Sequence, residues 1–369
     1  MAATDFPGLL RSILRGQAGG KTIWQPRIES WYDDREFRGE ALPGRFAGAS
    51  RLELFNALGV SNRLYMFNGC FRRRYGGDIR AGHRKLDALT HENTIVTPVG
   101  TVREITRGNT SNGGRMPVKW YVETPGDLRV FLYIAEHTHY SFDREAYDRL
   151  MAEWGHLGLP CMFLPRVNIQ QLLVELCGVE NTFYLLYDEP GLVEAYLAAA
   201  DRLHLRLIDM VCGTPLEWIN FGDNIHSKIL SPRLFEKYVL PAYQRRNERL
   251  HAAGKFTFAH FDGDVKELLP LFGACGLDGI EAITPLPQGD VTLKEARAAM
   301  DGILLVDGIA AILFDETYPL KMLKDQVLEC LHLFEGQLVL GISDEMSSTG
   351  TLDRIERVRD MVEEFNAKH

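Results

Sequence analysis

Seven short apolar runs, most of them after residue 160, alternate with helical stretches, and nearly every run ends in a polar or charged residue. They are TIWQPRI (22–28), CMFLP (161–165), EWINFG (217–222), FTFAHFDG (256–263), DGIEAI (278–283), GILLVDG (302–308) and QLVLGIS (337–343). Strands alternating with helical patterns imply βαβ units and a parallel sheet. No Gly-x-Gly-x-x-Gly follows any run, so an open dinucleotide-binding sheet has no support. Polar residues spread over many strand ends (Arg27, Arg166, Asp223, His260, Glu281, Asp307, Asp344) suit the mouth of a barrel, whose active sites lie at the C-terminal face. The expected fold is therefore an α/β (β/α)8 TIM barrel. Residues 5–16 read as an amphipathic helix, an N-terminal helical extension. Residues 93–136 read as an inserted antiparallel β-hairpin with its turn at 109–114. That insertion is too short to carry its own core, so residues 1–369 are expected to form a single barrel domain.

Composition narrows the function. A formal charge of −9 argues against a nucleic-acid footprint, which needs a basic stripe. The six cysteines contain no C-x-x-C pair, so neither a disulfide framework nor a thiolate cluster is expected. No run approaches the roughly 18 apolar residues of a membrane span, and the first twenty residues have no apolar leader. A cytoplasmic protein without membrane or nucleic-acid partners is the expectation.

His260, Asp262, Glu281 and Asp344 are the candidate metal ligands. They fall at neighbouring strand ends, and strands lie about 4.8 Å apart. One imidazole with carboxylates suits zinc, manganese or iron(II). Glu281 sits in an apolar strand, where an unpaired carboxylate is costly, so a cation or metal is expected beside it. The competing readings are a helix cap for Asp262 and a buried, hydrogen-bonded ring for His260. Asp223 is a candidate acid and Asn224 a candidate substrate contact, against a simple loop turn. Arg27 and Trp31 could hold a carboxylate and an aromatic face, or be a surface arginine and a packed indole. Asp307-Gly308 reads as a structural turn, and His137 and His139 as surface residues.

The run Ser231-Pro232-Arg233-x-Phe235, then Leu240-Pro241, Gly254 and His260-x-Asp262-Gly263, resembles the central signature of the uroporphyrinogen decarboxylase superfamily. The order continues through Gly276-Leu277-Asp278-Gly279-Ile280, Gly289-Asp290-Val291-x-Leu293-Lys294 and Leu305-Val306-Asp307-Gly308-Ile309. That resemblance implies one of two chemistries. Decarboxylases of the family act on a tetrapyrrole without a metal. Methyltransferases exchange methyl groups with a corrinoid protein, using zinc held by a His-x-Cys pair and a later Cys. Here His260 matches the family histidine, while Asp262 and Asp344 stand where the cysteines would be. The decarboxylase's arginine-rich first motif is absent, and only Arg27 is of that kind.

The resemblance thus implies a metal-dependent methyltransferase that moves a methyl group from a small methoxylated or methylated compound (an O-demethylation) to a corrinoid on a separate protein. Zinc or another divalent metal is the implied cofactor. The alternative is a metal-independent decarboxylase or lyase of a carboxylated substrate, with Asp223 and His260 moving protons. A barrel that only binds ligand is a third reading. Relatives of this fold often pair as homodimers, and nothing in the sequence sets the oligomer.

Overall fold

The computed structural model describes residues 4–110 and 112–369. By contact, the chain divides into two compact units: Met1–Asn68, Glu145–Phe163 and Pro215–His369 form the first, and Gly69–Arg144 with Leu164–Thr214 the second. In chain order, β1 (Trp24–Gln25) belongs to the first unit. The second unit takes β2 (Phe71–Tyr75), β3 (Arg80–Lys85), β4 (Thr90–Thr97), β5 (Gly100–Gly108), β6 (Arg115–Lys119) and β7 (Thr138–Phe142). There follow β8 (Cys161–Leu164), β9 (Trp218–Ile225), β10 (Phe256–Phe261), β11 (Gly279–Glu281), β12 (Leu304–Ala310) and β13 (Leu338–Ser343).

The seven expected runs form one sheet, in the order β1-β13-β12-β11-β10-β9-β8, with parallel pairing from β1 round to β9. Residues 60–64 touch both of its edges. The Ser61 N–H donates to the Trp24 carbonyl at 3.1 Å, and the Cys161 N–H to that of Leu64 at 3.2 Å. Leu64 also bridges Pro160 in parallel. The arrangement is TIM-barrel-like, with an irregular segment standing where an eighth strand would be.

Strand alternation sorts the interior into layers. The lower layer is apolar, with Ile23, Cys161, Trp218, Phe258, Val306 and Val339 in one buried cluster. The helix Phe6–Leu14 adds Leu10, Ile13 and Leu14 to that cluster. It starts where Asp5 accepts the Gly8 N–H at 3.0 Å, with Pro7 in the first turn, a favourable N-terminus. Burying each of these aliphatic side chains is worth roughly 1.5–3 kcal/mol. Above this layer the inward positions turn polar.

In the second unit, β2 pairs antiparallel with β7, and β3-β4-β5-β6 form an antiparallel sheet. The helix Pro125–Glu136 begins at a capping box of Thr124 and Asp127, and its Ala135 packs with Ala199 and Leu203 of the helix Pro190–Cys212. The antiparallel pairing expected over 93–136 is therefore part of something larger. Strands β2 and β3 (FRRRY and RAGHRK) carry little apolar alternation, and β3 is exposed throughout. That is why their sequence did not announce them. Ser111, in the expected turn, lies outside the described residues. Among the described residues, no helix is long and apolar enough to cross a membrane.

Candidate active site

Six strands of the first unit (β1 and β9 to β13), with residues 63–65, build one buried polar cluster. Its centre is Glu281, the last residue of β11 and fully buried. Its Oε1 accepts from His260 Nδ1 at 2.8 Å. Its Oε2 accepts from the Tyr65 hydroxyl at 2.7 Å and from Asn220 Nδ2 at 2.6 Å, and the Arg63 guanidinium lies 3.1 Å away. Arg27 comes within 3.5 Å of Oε1. Glu281, expected as a metal ligand, instead has both oxygens engaged by protein donors and stands outside the gathering of His260, Asp262 and Asp344. The costly apolar position did find its cation, in Arg63 and Arg27.

That arrangement sets the tautomer of His260. A carboxylate can only accept, so Nδ1 carries a proton, and in the neutral ring Nε2 is left with a lone pair on the Asp344 side. Nε2 lies 3.5 Å from Asp344 Oδ1. His260, Asp262 and Asp344 each bring a donor atom within 4.8 Å of the others. Burial opposes a charged ring, but the Glu281 hydrogen bond and the charges of Glu281 and Asp344 outweigh it, so the His260 pKa is raised. For Glu281, burial opposes ionisation, but Arg63, the His260 hydrogen bond and Arg27 prevail and hold it well below the usual carboxylate range.

Asp262 and Asp344 are the accessible donors; the Asp344 side chain is 36% exposed while that of Glu281 is wholly buried. The helix-cap role open to Asp262 is filled by Asp290, whose carboxylate accepts from the Val265 and Lys266 N–H groups at 2.9 and 3.2 Å. Asp262 is left facing His260 and Asp344.

Arg27 is buried at the end of β1. It donates to Asp344 Oδ1 at 2.6 Å and to Glu345 Oε1 at 3.1 Å. Arg63 grips Asp307 with both terminal nitrogens, at 3.2 and 2.7 Å. Asp307, expected as a simple turn, is a fully buried partner in this network, held at a φ of 85°. Two guanidiniums therefore meet four carboxylates (Glu281, Asp307, Asp344 and Glu345), with Asp262 a fifth beside His260 and Asp344. The surplus of negative charge favours a cation at the rim and opposes a polyanion. Two buried polar atoms beside the cluster, Arg27 Nε and Asn220 Oδ1, have no hydrogen-bond partner among the described residues. Such groups are ordinarily satisfied by water or a ligand. The three donors, the oriented imidazole and the negative surplus together fit a divalent metal.

Asp223 and Trp31 end differently. Asp223 follows Asn220 by an odd number of residues on β9, so it points to the opposite face, where it accepts from the Tyr243 hydroxyl at 2.7 Å. It cannot share proton transfer with His260. Trp31 is fully buried, donates from Nε1 to the Gly350 carbonyl at 2.9 Å and lies under the Arg35 guanidinium; it is a packing residue. Asn224 stands half-buried near the end of β9 with a φ of 51°. Arg63, Tyr65, Asn220 and Glu345 were missed. Only the polar stretch Ser61-Asn62-Arg63 between apolar neighbours hinted at the first two.

The chain was also compared with known proteins. No curated protein matches it. A solved structure from Listeria monocytogenes, assigned as a vitamin-B12 independent methionine synthase, aligns with a TM-score of 0.39 and 16% identity, covering 60% of this chain and 68% of that one. The family model for uroporphyrinogen decarboxylase (URO-D) matches residues 171–365, more than half of the 369 residues. With the order of motifs and the parallel sheet described above, the chain belongs to the uroporphyrinogen decarboxylase (URO-D) family.

Proposed function

We propose that this protein is a metal-dependent methyltransferase that takes a methyl group from a small methoxylated or methylated compound and passes it to a corrinoid on a separate protein. The observation that supports it most is the gathering of His260, Asp262 and Asp344 donors within 4.8 Å. One imidazole and two carboxylates form a harder donor set than a thiolate site, and suit zinc, manganese or iron(II). A divalent metal bound there supplies Lewis-acid polarisation to a heteroatom of the substrate. An ether oxygen or amine nitrogen matches these ligands better than a soft thiol. The chain's own residues prepare the site. Glu281 holds the His260 tautomer, Tyr65, Asn220 and Arg63 hold Glu281, and Arg27 orients Asp344.

Decarboxylation of a porphyrinogen has less support. Its many carboxylates need free cations, and both rim arginines are engaged by protein carboxylates. A metal-free lyase is the second reading, favoured by the raised pKa of His260, which would let the ring deliver a proton from Nε2.

The test is metal analysis of purified protein after zinc or manganese supplementation, followed by demethylation assays with cob(I)alamin and methoxylated aromatics. Stoichiometric metal, lost in His260→Ala and Asp344→Asn, is expected. Protein that stays folded and metal-free after supplementation would sink the proposal, and turnover of a carboxylated substrate that survives chelation would favour the lyase.

A further inference from the structure

The second unit carries a cavity lined by its own residues. Its volume is about 430 Å³, within the range of roughly 300–1,000 Å³ typical of small-molecule sites. Its walls are aromatic: Tyr75 from β2, Tyr121, Phe131 from the helix Pro125–Glu136, Tyr140 from β7 and Tyr196 from the helix Pro190–Cys212. Tyr196 donates to Gln171 Oε1 at 2.6 Å. The hydroxyls of Tyr75, Tyr121 and Tyr140 have no hydrogen-bond partner among the described residues. Burial pushes Tyr121 up to about 12 and raises Tyr140 as well, so both remain neutral donors at any physiological pH.

The charges lining the cavity are unevenly satisfied. Glu175 is paired with Arg166 at 2.6 Å. Arg73 and Arg115, at the exposed margin of the cavity, have no carboxylate partner among the described residues, and Arg73 lies over the Tyr75 ring at 5.1 Å from its centroid. Among the described residues, Glu104 accepts only from the Asn93 amide, at 3.0 Å. Flat aromatic walls take a ring by stacking. An unpaired guanidinium takes a carboxylate, and an unpaired carboxylate accepts from a hydroxyl.

We propose that this cavity, lined by no residue of the His260 cluster, is a binding site for a hydroxylated aromatic carboxylate. The ring lies among the tyrosines, its carboxylate meets Arg73 and Arg115 and accepts from the Tyr121 and Tyr140 hydroxyls, and its own hydroxyl meets Glu104. The proposal does not rest on methyl transfer, because no metal or corrinoid takes part in the binding.

Calorimetric titration of the full chain with 4-hydroxybenzoate tests it. Saturable binding is expected. It should weaken by about tenfold or more in Arg73→Ala/Arg115→Ala and in Tyr121→Phe/Tyr140→Phe, and stay unchanged in His260→Ala. 4-Hydroxybenzyl alcohol and cyclohexanecarboxylate, which lack the charge or the aromatic ring, should bind more weakly. The phenylalanine pair keeps the ring packing, so it decides the matter if the arginine pair fails to fold. Absence of saturable binding would overturn the proposal, as would binding lost in His260→Ala and retained in the cavity variants.

Discussion

Glu281 shows how one buried carboxylate can organise a site without contacting the reactants. Its three neutral donors and two guanidiniums offset the desolvation that would otherwise forbid an ionised group there. In Glu281→Gln the charge is gone, and the amide presents N–H groups to donors. Metal affinity at the His260 cluster should fall about 10–100-fold, as for lost carboxylate–histidine support, and stability should drop by on the order of 3 kcal/mol. Competition with a chromogenic chelator and urea unfolding measure the two. Undiminished metal affinity in this variant would mean that Glu281 does not orient the ring. Glu29 makes a second, pH-linked prediction. Burial first, then the charge of Glu345, raise its pKa from 4.5 to about 7. The folded chain therefore keeps a proton that the unfolded chain has lost, and stability falls as pH rises from about 4.5 to about 7. Glu29→Gln should flatten that fall and be more stable than the parent above pH 7 by about 1–2 kcal/mol after solvent screening. Parallel unfolding slopes in the two proteins would refute it.

Strands and their neighbours decide which of these side chains meet. Gly341 in β13 is small for a reason: a Cβ there would collide with Asp307 Oδ1 and stand 3.0 Å from the Gln25 carbonyl. The missing side chain lets Asp307 reach across to Arg63. Gly341→Ala should cost about 1–3 kcal/mol through displaced backbone and loosen the Arg63–Asp307 pair. Melting temperature and metal affinity should fall together, and a fully stable variant would show that the close approach has no consequence. The segment 60–65 teaches the complementary lesson. It touches both sheet edges, yet its sequence, Val60-Ser61-Asn62-Arg63-Leu64-Tyr65, has no apolar run. Its inward residues are polar because they reach the polar mouth, and its backbone bonds are few. Hydrophobic pattern could not reveal it, so Arg63 and Tyr65 stayed hidden.

At the level of the complete chain, binding and folding are linked. A metal held by His260, Asp262 and Asp344, as proposed, would bind only where β10 and β13 have come together, and so would stabilise the folded form. At a free concentration one hundred times Kd, the gain is about 2.7 kcal/mol. Zinc or manganese should raise the melting temperature of the parent chain and leave that of His260→Ala unchanged. Equal shifts in both proteins would place the metal elsewhere.

The amino-acid order alone determined the parallel sheet, the family, and the placing of His260, Asp262 and Asp344 at strand ends. Those features depend on apolar periodicity and motif spacing, which are local and legible along the chain. Tertiary structure decided the rest. A shift of one residue along a strand reverses the face a side chain takes, and that parity sent Asp223 to Tyr243 and Asn220 to Glu281. Whether Glu281 serves a metal or two arginines depends on groups more than 200 residues away in sequence, and only folding brings such partners within reach.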